Sequence, residues 1–137
     1  GDATLQQRFK TTLDEFFPRY IKAIGEYQNS INEVRIEGHT SSEWNKDDDD
    51  LQAYFKNMSL SQARSKSVLE YCMLLDSMEN YRDFLIEKAT ANGLSYSHRI
   101  IENGKENYNK SRRVEFKIKT TAEAHIDQII EAGGLNE

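Results

Sequence analysis

Two short segments, Val34-Arg35-Ile36-Glu37 and Val114-Glu115-Phe116-Lys117-Ile118-Lys119, alternate apolar and charged residues, whereas most other apolar residues fall at steps of three and four. Alternation marks a strand with one buried and one wet face, and steps of three and four mark a helix with one apolar side. Such a chain must lay its helices against the apolar side of a sheet. The expectation is an α/β (α+β) two-layer sandwich: a βαβ-containing mixed sheet including strands 32–37 and 112–119, with helices on one face.

The first helix carries Leu5, Phe9, Leu13, Phe16, Phe17, Tyr20, Ile21 and Ile24 on one side. Thr4 or Asp2 is placed to cap it, Pro18 to kink or divide it, and Gly25 to end it. After the strand, Asp47 to Asp50 suit a helix N-terminus, because carboxylates there complement the helix dipole. A short helix with Leu51, Tyr54 and Phe55 on its apolar side is expected next. Ser59 or Ser61 then caps a further helix, Ser59-x-x-Gln62 matching a capping box, with Leu60, Val68, Tyr71, Cys72 and Leu75 on its core face. Another helical stretch bears Tyr81, Phe84, Leu85 and Ile86 and stops at Asn92-Gly93. Residues 95–101 read as a weak strand, Asn103-Gly104 as a turn, and Ala124, Ile126, Ile129 and Ile130 as a last helix closed by Gly133-Gly134.

At 137 residues the chain is long enough for one domain, 1–137, with a real core. Its formal net charge of -5 argues against non-specific nucleic-acid binding, which draws its affinity from Lys and Arg on phosphates. The lone Cys72 permits no internal disulfide and sits among apolar residues as a small core side chain. No run of about 18 apolar residues is present to span a membrane. No secretory leader is present either, so an exported or anchored protein would carry that segment outside these residues.

Polar side chains cluster at the ends of both strands and at one helix start, which is how a fold builds a small polar pocket. Ile36-Glu37-Gly38-His39-Thr40, Asn57-x-x-Leu60-Ser61-x-x-Arg64 and Asn107-x-x-x-x-Arg112-Arg113-Val114-Glu115 stand in that order. In these blocks the chain resembles the OmpA-like peptidoglycan-binding domain, the family of the outer-membrane protein A C-terminus, the peptidoglycan-associated lipoprotein and flagellar-type stator B subunits. The resemblance runs from the first helix to the Val114 strand. It implies a strand ahead of the first helix, and that strand is missing or truncated before Gly1-Asp2-Ala3. It also implies a grip on the diaminopimelate residue of the peptidoglycan stem peptide. Arg64 would pair with the ligand carboxylate, Asn57 and the backbone near Thr40 would complete the wall, and Arg112 would enter from the neighbouring strand. A guanidinium fork suits a carboxylate because two parallel charge-assisted bonds form at once. Arg113, one step along, should point the other way.

The sequence departs from the family at Ser41, where an aspartate usually meets the ligand's amino group. Serine accepts a hydrogen bond but brings no charge. Glu43 supplies the carboxylate instead, or one of Asp47 to Asp50 does through a folded-back loop, or the domain binds more weakly or takes a differently substituted peptide. The ligand set implied is therefore Thr40, Ser41, Glu43, Tyr54, Asn57, Leu60, Arg64 and Arg112, with no catalytic residue, metal ligand or cofactor. The long loop and Trp44 point towards stator B subunits and their relatives, including the motor-like subunit of the Zorya anti-phage system. Peptidoglycan, a second copy of the chain and a membrane channel or motor reached through an absent N-terminal segment are the expected partners. The expected location is the periplasm, tethered to the inner membrane.

Plainer readings accompany these. His39, with His98 and His125 far off in sequence, reads as a hydrogen-bonded structural histidine rather than a metal ligand. The Asp47–Asp50 run lacks the alternating ligands and turn glycine of a calcium loop. Trp44 reads as loop packing rather than a sugar-stacking platform. No nucleophile elbow, zincin helix or glycine-rich phosphate loop marks an enzyme. The competing reading is an OmpA-like domain that has lost its ligand and only dimerises, or the wall tether of a lipoprotein or porin.

Overall fold

The computed structural model describes residues 4–43 and 47–122. The caps and contacts expected of Asp2 and Trp44 and the helix expected around Ile126 lie outside them.

Helix α1 spans Gln7–Gly25 and runs through Pro18 undivided. The proline costs about 3 kcal/mol in a helix interior, but Leu13, Phe17 and Ile21 on either side of it are almost fully buried. Each contributes about 1.5–3 kcal/mol, so packing outweighs the lost hydrogen bond. Gln6, not Thr4, stands at the N-cap position, without a side-chain cap bond of its own.

Strand β1 covers Ile31–His39, longer at both ends than the alternation marks. Helix α2 follows as one element, Asp50–Met73, where two were expected. Its cap is Asp49: the carboxylate accepts from Gln52 N at 2.7 Å while the Gln52 side chain accepts from Asp49 N at 3.0 Å. Ser59-x-x-Gln62 offers a similar box, but no breaker separates it from the preceding turns, so the helix continues past it. Leu51 and Phe55 are exposed, at 65% and 59%, and Ala53 faces inward instead.

Past a 3₁₀ segment at Asp76–Tyr81 comes α3, Arg82–Lys88, with Phe84 and Leu85 buried and Ile86 exposed. The expected continuation to Asn92-Gly93 is wrong: Ala89–Gly93 is strand β2. Residues 95–100 form no strand. The short strands β3 (Ile101–Glu102) and β4 (Lys105–Glu106) pair about Asn103-Gly104, both at positive φ as a tight hairpin turn requires. A single-turn helix α4, Tyr108–Ser111, leads into β5, Arg113–Thr120.

The main sheet has the order β2-β1-β5, with β2 parallel and β5 antiparallel to β1. Val34, Ile36 and Gly38 oppose Ile118, Phe116 and Val114, and this side meets the helices. Phe16, Phe17 and Tyr20 of α1 surround Phe116 at ring separations of 5.1, 5.9 and 5.7 Å. Tyr71 Oη of α2 donates to Asp14 of α1 at 2.5 Å, so the two helices lie side by side. Phe17 and Val68 are fully buried, and Phe9 and Leu75 pack partly buried against the same core. Cys72 is enclosed there, and burial, aided by Asp14, pushes its thiol up to about 12.

Helix α2 meets β1 and β2 through small residues. A Cβ on Gly38 would lie 2.5 Å from Ser61 O and 2.6 Å from Ser65 Oγ, and one on Gly93 would lie 2.4 Å from Gln62 N. The Ser65 hydroxyl donates to Asn92 O at 2.6 Å, and Ser61 Oγ accepts from Ser95 N at 3.1 Å. Because the obstructing atoms at Gly93 include backbone, the helix itself must move to admit a methyl group. Gly93→Ala should therefore cost about 1–3 kcal/mol. Urea unfolding should show a lower midpoint with an unchanged slope.

Candidate functional site

At the C-terminal end of β1 the chain stays tied to the segment after β2: Leu94 N donates to Gly38 O at 3.0 Å and Thr40 N to Ser95 O at 2.8 Å. Beside this end opens a cavity of about 620 Å³. Leu5, Phe9 and Val68 supply apolar wall, and three guanidinium-bearing residues, Arg64, Arg112 and Arg113, reach it from α2 and from the start of β5. His39 lines it too, and none of the described lining residues is a carboxylate.

Arg112 organises the rim. Its Nη1 donates to Ser41 Oγ at 3.1 Å and to Glu43 Oε2 at 2.8 Å, and its Nη2 to Asn109 Oδ1 at 2.6 Å. Glu43 is thereby brought beside Ser41. On the other side of Arg112 lies a shallower recess of about 540 Å³, bordered by Glu43, Glu102, Glu106 and Asn107. Arg113 does not point away from the cavity as expected. Arg112 is the C-cap of α4, and strand alternation starts only after it, so the two arginines are not forced to opposite faces. Arg113 is steadied by Glu115 at 2.5 Å and by the carbonyls of Ser111 and His98.

Of the other residues singled out from the sequence, Thr40 and Ser41 are buried, at 3% and 4% exposure. The Thr40 hydroxyl has no hydrogen-bond partner among the described residues. Tyr54, Asn57 and Leu60 lie on α2 but line neither recess. Asn57 Nδ2 donates to Ala53 O at 2.9 Å. The Tyr54 carbonyl accepts from Ser95 Oγ at 2.8 Å, and its ring packs between Phe55 and Tyr96.

The sheet face away from the helices carries a second cluster. In register, Arg35 opposes Lys117, Glu37 opposes Glu115 and His39 opposes Arg113. His39 Nε2 stands 3.6 Å from Glu37 Oε1 and 4.0 Å from Glu115 Oε2, and three donor atoms here are close enough together to hold a metal ion. His39 is not the hydrogen-bonded histidine expected, since neither ring nitrogen has a partner among the described residues. Burial, with Arg113 beside it, pushes its pKa below the ordinary value despite the two carboxylates.

With this geometry, three comparisons place the chain. Its fold matches the peptidoglycan-associated lipoprotein of Burkholderia pseudomallei (TM-score 0.55, 15% identity, 86% of this chain and 83% of that one). It also matches the periplasmic domain of Helicobacter pylori MotB (TM-score 0.57, 18% identity, 96% and 76%). The OmpA-like domain of FopA1 from Francisella tularensis aligns as well (TM-score 0.53, 22% identity, 88% and 69%). The chain has the OmpA-like fold. In sequence, it is 45% identical over 132 residues to the Zorya protein ZorB of Escherichia coli, an alignment covering 96% of the chain and 56% of that relative. It thus spans little more than half of the curated protein it matches. No family model matches the chain.

The loop after β1 is pinned by a residue that motif spacing does not reveal. Glu106 accepts from Ser42 N at 3.0 Å and from Ser42 Oγ at 2.5 Å, with Arg99 at 3.6 Å. Burial alone would raise its pKa, but the Ser42 bonds and the Arg99 charge hold it below the ordinary 4.5. Glu37 and Glu115 are lowered as well: Glu37 by Lys117 and Arg35 against the effect of its burial, Glu115 chiefly by the hydrogen bond from Arg113. A carboxyl with a depressed folded pKa adds stability above its unfolded value, and this is lost as pH falls through the folded one. Thermal unfolding between pH 7 and about pH 3 should show stability falling below the ordinary carboxylate pKa. Glu106→Gln should melt lower at neutral pH and lose less on acidification.

Proposed function

We propose that this OmpA-like domain binds the diaminopimelate-type peptidoglycan stem peptide non-covalently and anchors an envelope protein to the cell wall. The observation that carries the reading is the convergence of Arg64, Arg112 and Arg113 on one cavity without a carboxylate among its described lining residues, in a chain of formal net charge -5. Such a cavity suits an anionic ligand small enough to enter it. Arg64 takes the ligand carboxylate through its fork. Glu43, held beside Ser41 by Arg112, supplies the charge that Ser41 lacks. Asp48 and Asp49 are engaged at the start of α2, with Lys56 at 2.7 Å and with Gln52, which favours Glu43 over that run. An ammonium taken from water without a partner would cost several kcal/mol.

The likeness to ZorB and the MotB fold favours a motor subunit as the parent protein. In this reading the domain is periplasmic and acts as a homodimer. A segment outside these residues tethers it to an inner-membrane channel or motor that serves anti-phage defence. The domain is a binder, with no enzymatic step and no nucleic-acid partner. No helix among the described residues is long and apolar enough to cross a membrane.

Purified sacculi should pull down the wild-type chain and not Arg64→Ala. Arg64→Lys should bind roughly tenfold more weakly, because a point charge does not reproduce two parallel bonds. Lysine binding as well as arginine would refute the fork, full binding by Arg64→Ala would move the grip away from Arg64, and no binding by wild type would leave a domain that only dimerises. Glu43→Gln should weaken binding of stem peptides with a free amino group and matter little once that group is acetylated. Equal losses for both peptides would reduce Glu43 to a loop support.

A further inference from the structure

From the outer face of the sheet we infer a divalent transition-metal site, zinc-like in its chemistry, built by Glu37 and His39 of β1 and Glu115 of β5. The candidate ligand atoms all lie within 4.8 Å of one another. The two distances from His39 Nε2, 3.6 and 4.0 Å, sit close to the roughly 3.3–3.6 Å between ligands of a tetrahedral ion with bonds of about 2.0–2.2 Å.

Two independent features point to an ion rather than to a chance grouping. The first is His39 itself. Its side chain is 1% exposed and both ring nitrogens lack hydrogen-bond partners among the described residues. The separations from the carboxylates are too long for hydrogen bonds. An ion drawn between the three groups would use the imidazole lone pair and both carboxylates together.

The second is how the carboxylates are oriented. Arg35 Nε holds Glu37 Oε2 at 3.1 Å, and Arg113 Nε holds Glu115 Oε1 at 2.5 Å. Each arginine takes one oxygen and leaves the other, Glu37 Oε1 or Glu115 Oε2, turned towards His39. Hydrogen bonds to the far side of a ligand fix its direction in this way at metal sites.

Lys117 marks the place of the cation. Its Nζ lies 3.1 Å from Glu37 Oε1 and 3.5 Å from Glu115 Oε2, on the same two oxygens. Its side chain is half exposed and free to swing out, so it acts as a built-in competitor that weakens the metal rather than excluding it. One imidazole with two carboxylates favours zinc-like ions over calcium or magnesium, which take more oxygen ligands. The ion would join the central strand to β5 across the face that no described helix covers.

The test is calorimetric titration of the whole chain with ZnCl2 in a non-chelating buffer, with CaCl2 in parallel. Wild type should bind one equivalent of zinc and no calcium, and Lys117→Met should bind zinc tighter by roughly tenfold. His39→Asn and Glu115→Gln should each weaken binding at least about tenfold. Glu115 is one-third exposed, so its substitution separates lost ligation from lost folding, with circular dichroism as the check. A His125→Ala protein should bind as wild type does. Zinc binding that persists in His39→Asn or Glu115→Gln, or that disappears in His125→Ala, would overturn the site. So would the absence of stoichiometric binding in both wild type and Lys117→Met.

Discussion

The structure depends on how closely α2 lies on β1 and β2. Gly38 and Gly93 present bare backbone to the helix, and Ser61 and Ser65 answer with the smallest side chains that can still hydrogen-bond. Close approach buries polar groups, and the serine hydroxyls satisfy those that the contact would otherwise strand. The fit also sets the height of the helix over the sheet. Arg64 precedes Ser65, so the same contact that seats α2 places this guanidinium at the cavity where β1 ends. A thicker interface would lift Arg64 away from Arg112 and Arg113.

Charge is sorted by the two faces and one end of the sheet. The helix side is apolar. The outer side alternates acids and bases along β1 and from Arg113 to Lys117 of β5, with like charges directly opposed at Arg35 and Lys117 and at Glu37 and Glu115, so each carboxylate there has a cation beside it on its own strand or diagonally across. At the end of the sheet the balance tips towards arginine. A chain that is acidic overall thereby lines one recess with arginines, two of them paired with Glu43 and Glu115, and near a surface such pairings act over short range before salt screens them.

Much of this was legible in the sequence, for physical reasons. α1 and the strands β1 and β5 are long, and their apolar steps repeat often enough to establish both type and orientation. The blocks around His39, Arg64 and Arg112 carried the family resemblance, and the OmpA-like fold follows it. β2 was hidden because Ala89-Thr90-Ala91-Asn92-Gly93 has the small residues that α2 demands above it rather than the β-branched pattern that announces a strand. α2 looked like two helices because its inward stripe, Ala53, Ser61, Ser65, is small and not apolar, so periodicity faded where packing was closest. The outer cluster could not be read at all. Glu37 and Glu115 are neighbours only through strand register, which a single chain does not display.

One consequence follows from where the chain enters the cavity. Thr4, Leu5 and Gln6 border the same recess as Arg64 and Arg112. Tension applied at these residues against a ligand gripped by Arg64 would cross a single recess. It would run through the first turns of α1 and the rim and bypass the Phe17–Val68 core. In mechanical terms, a pull at Thr4 and a grip at Arg64 would act side by side. The load path is short, and the hydrophobic layer beneath is spared the shear that would slide its strands apart.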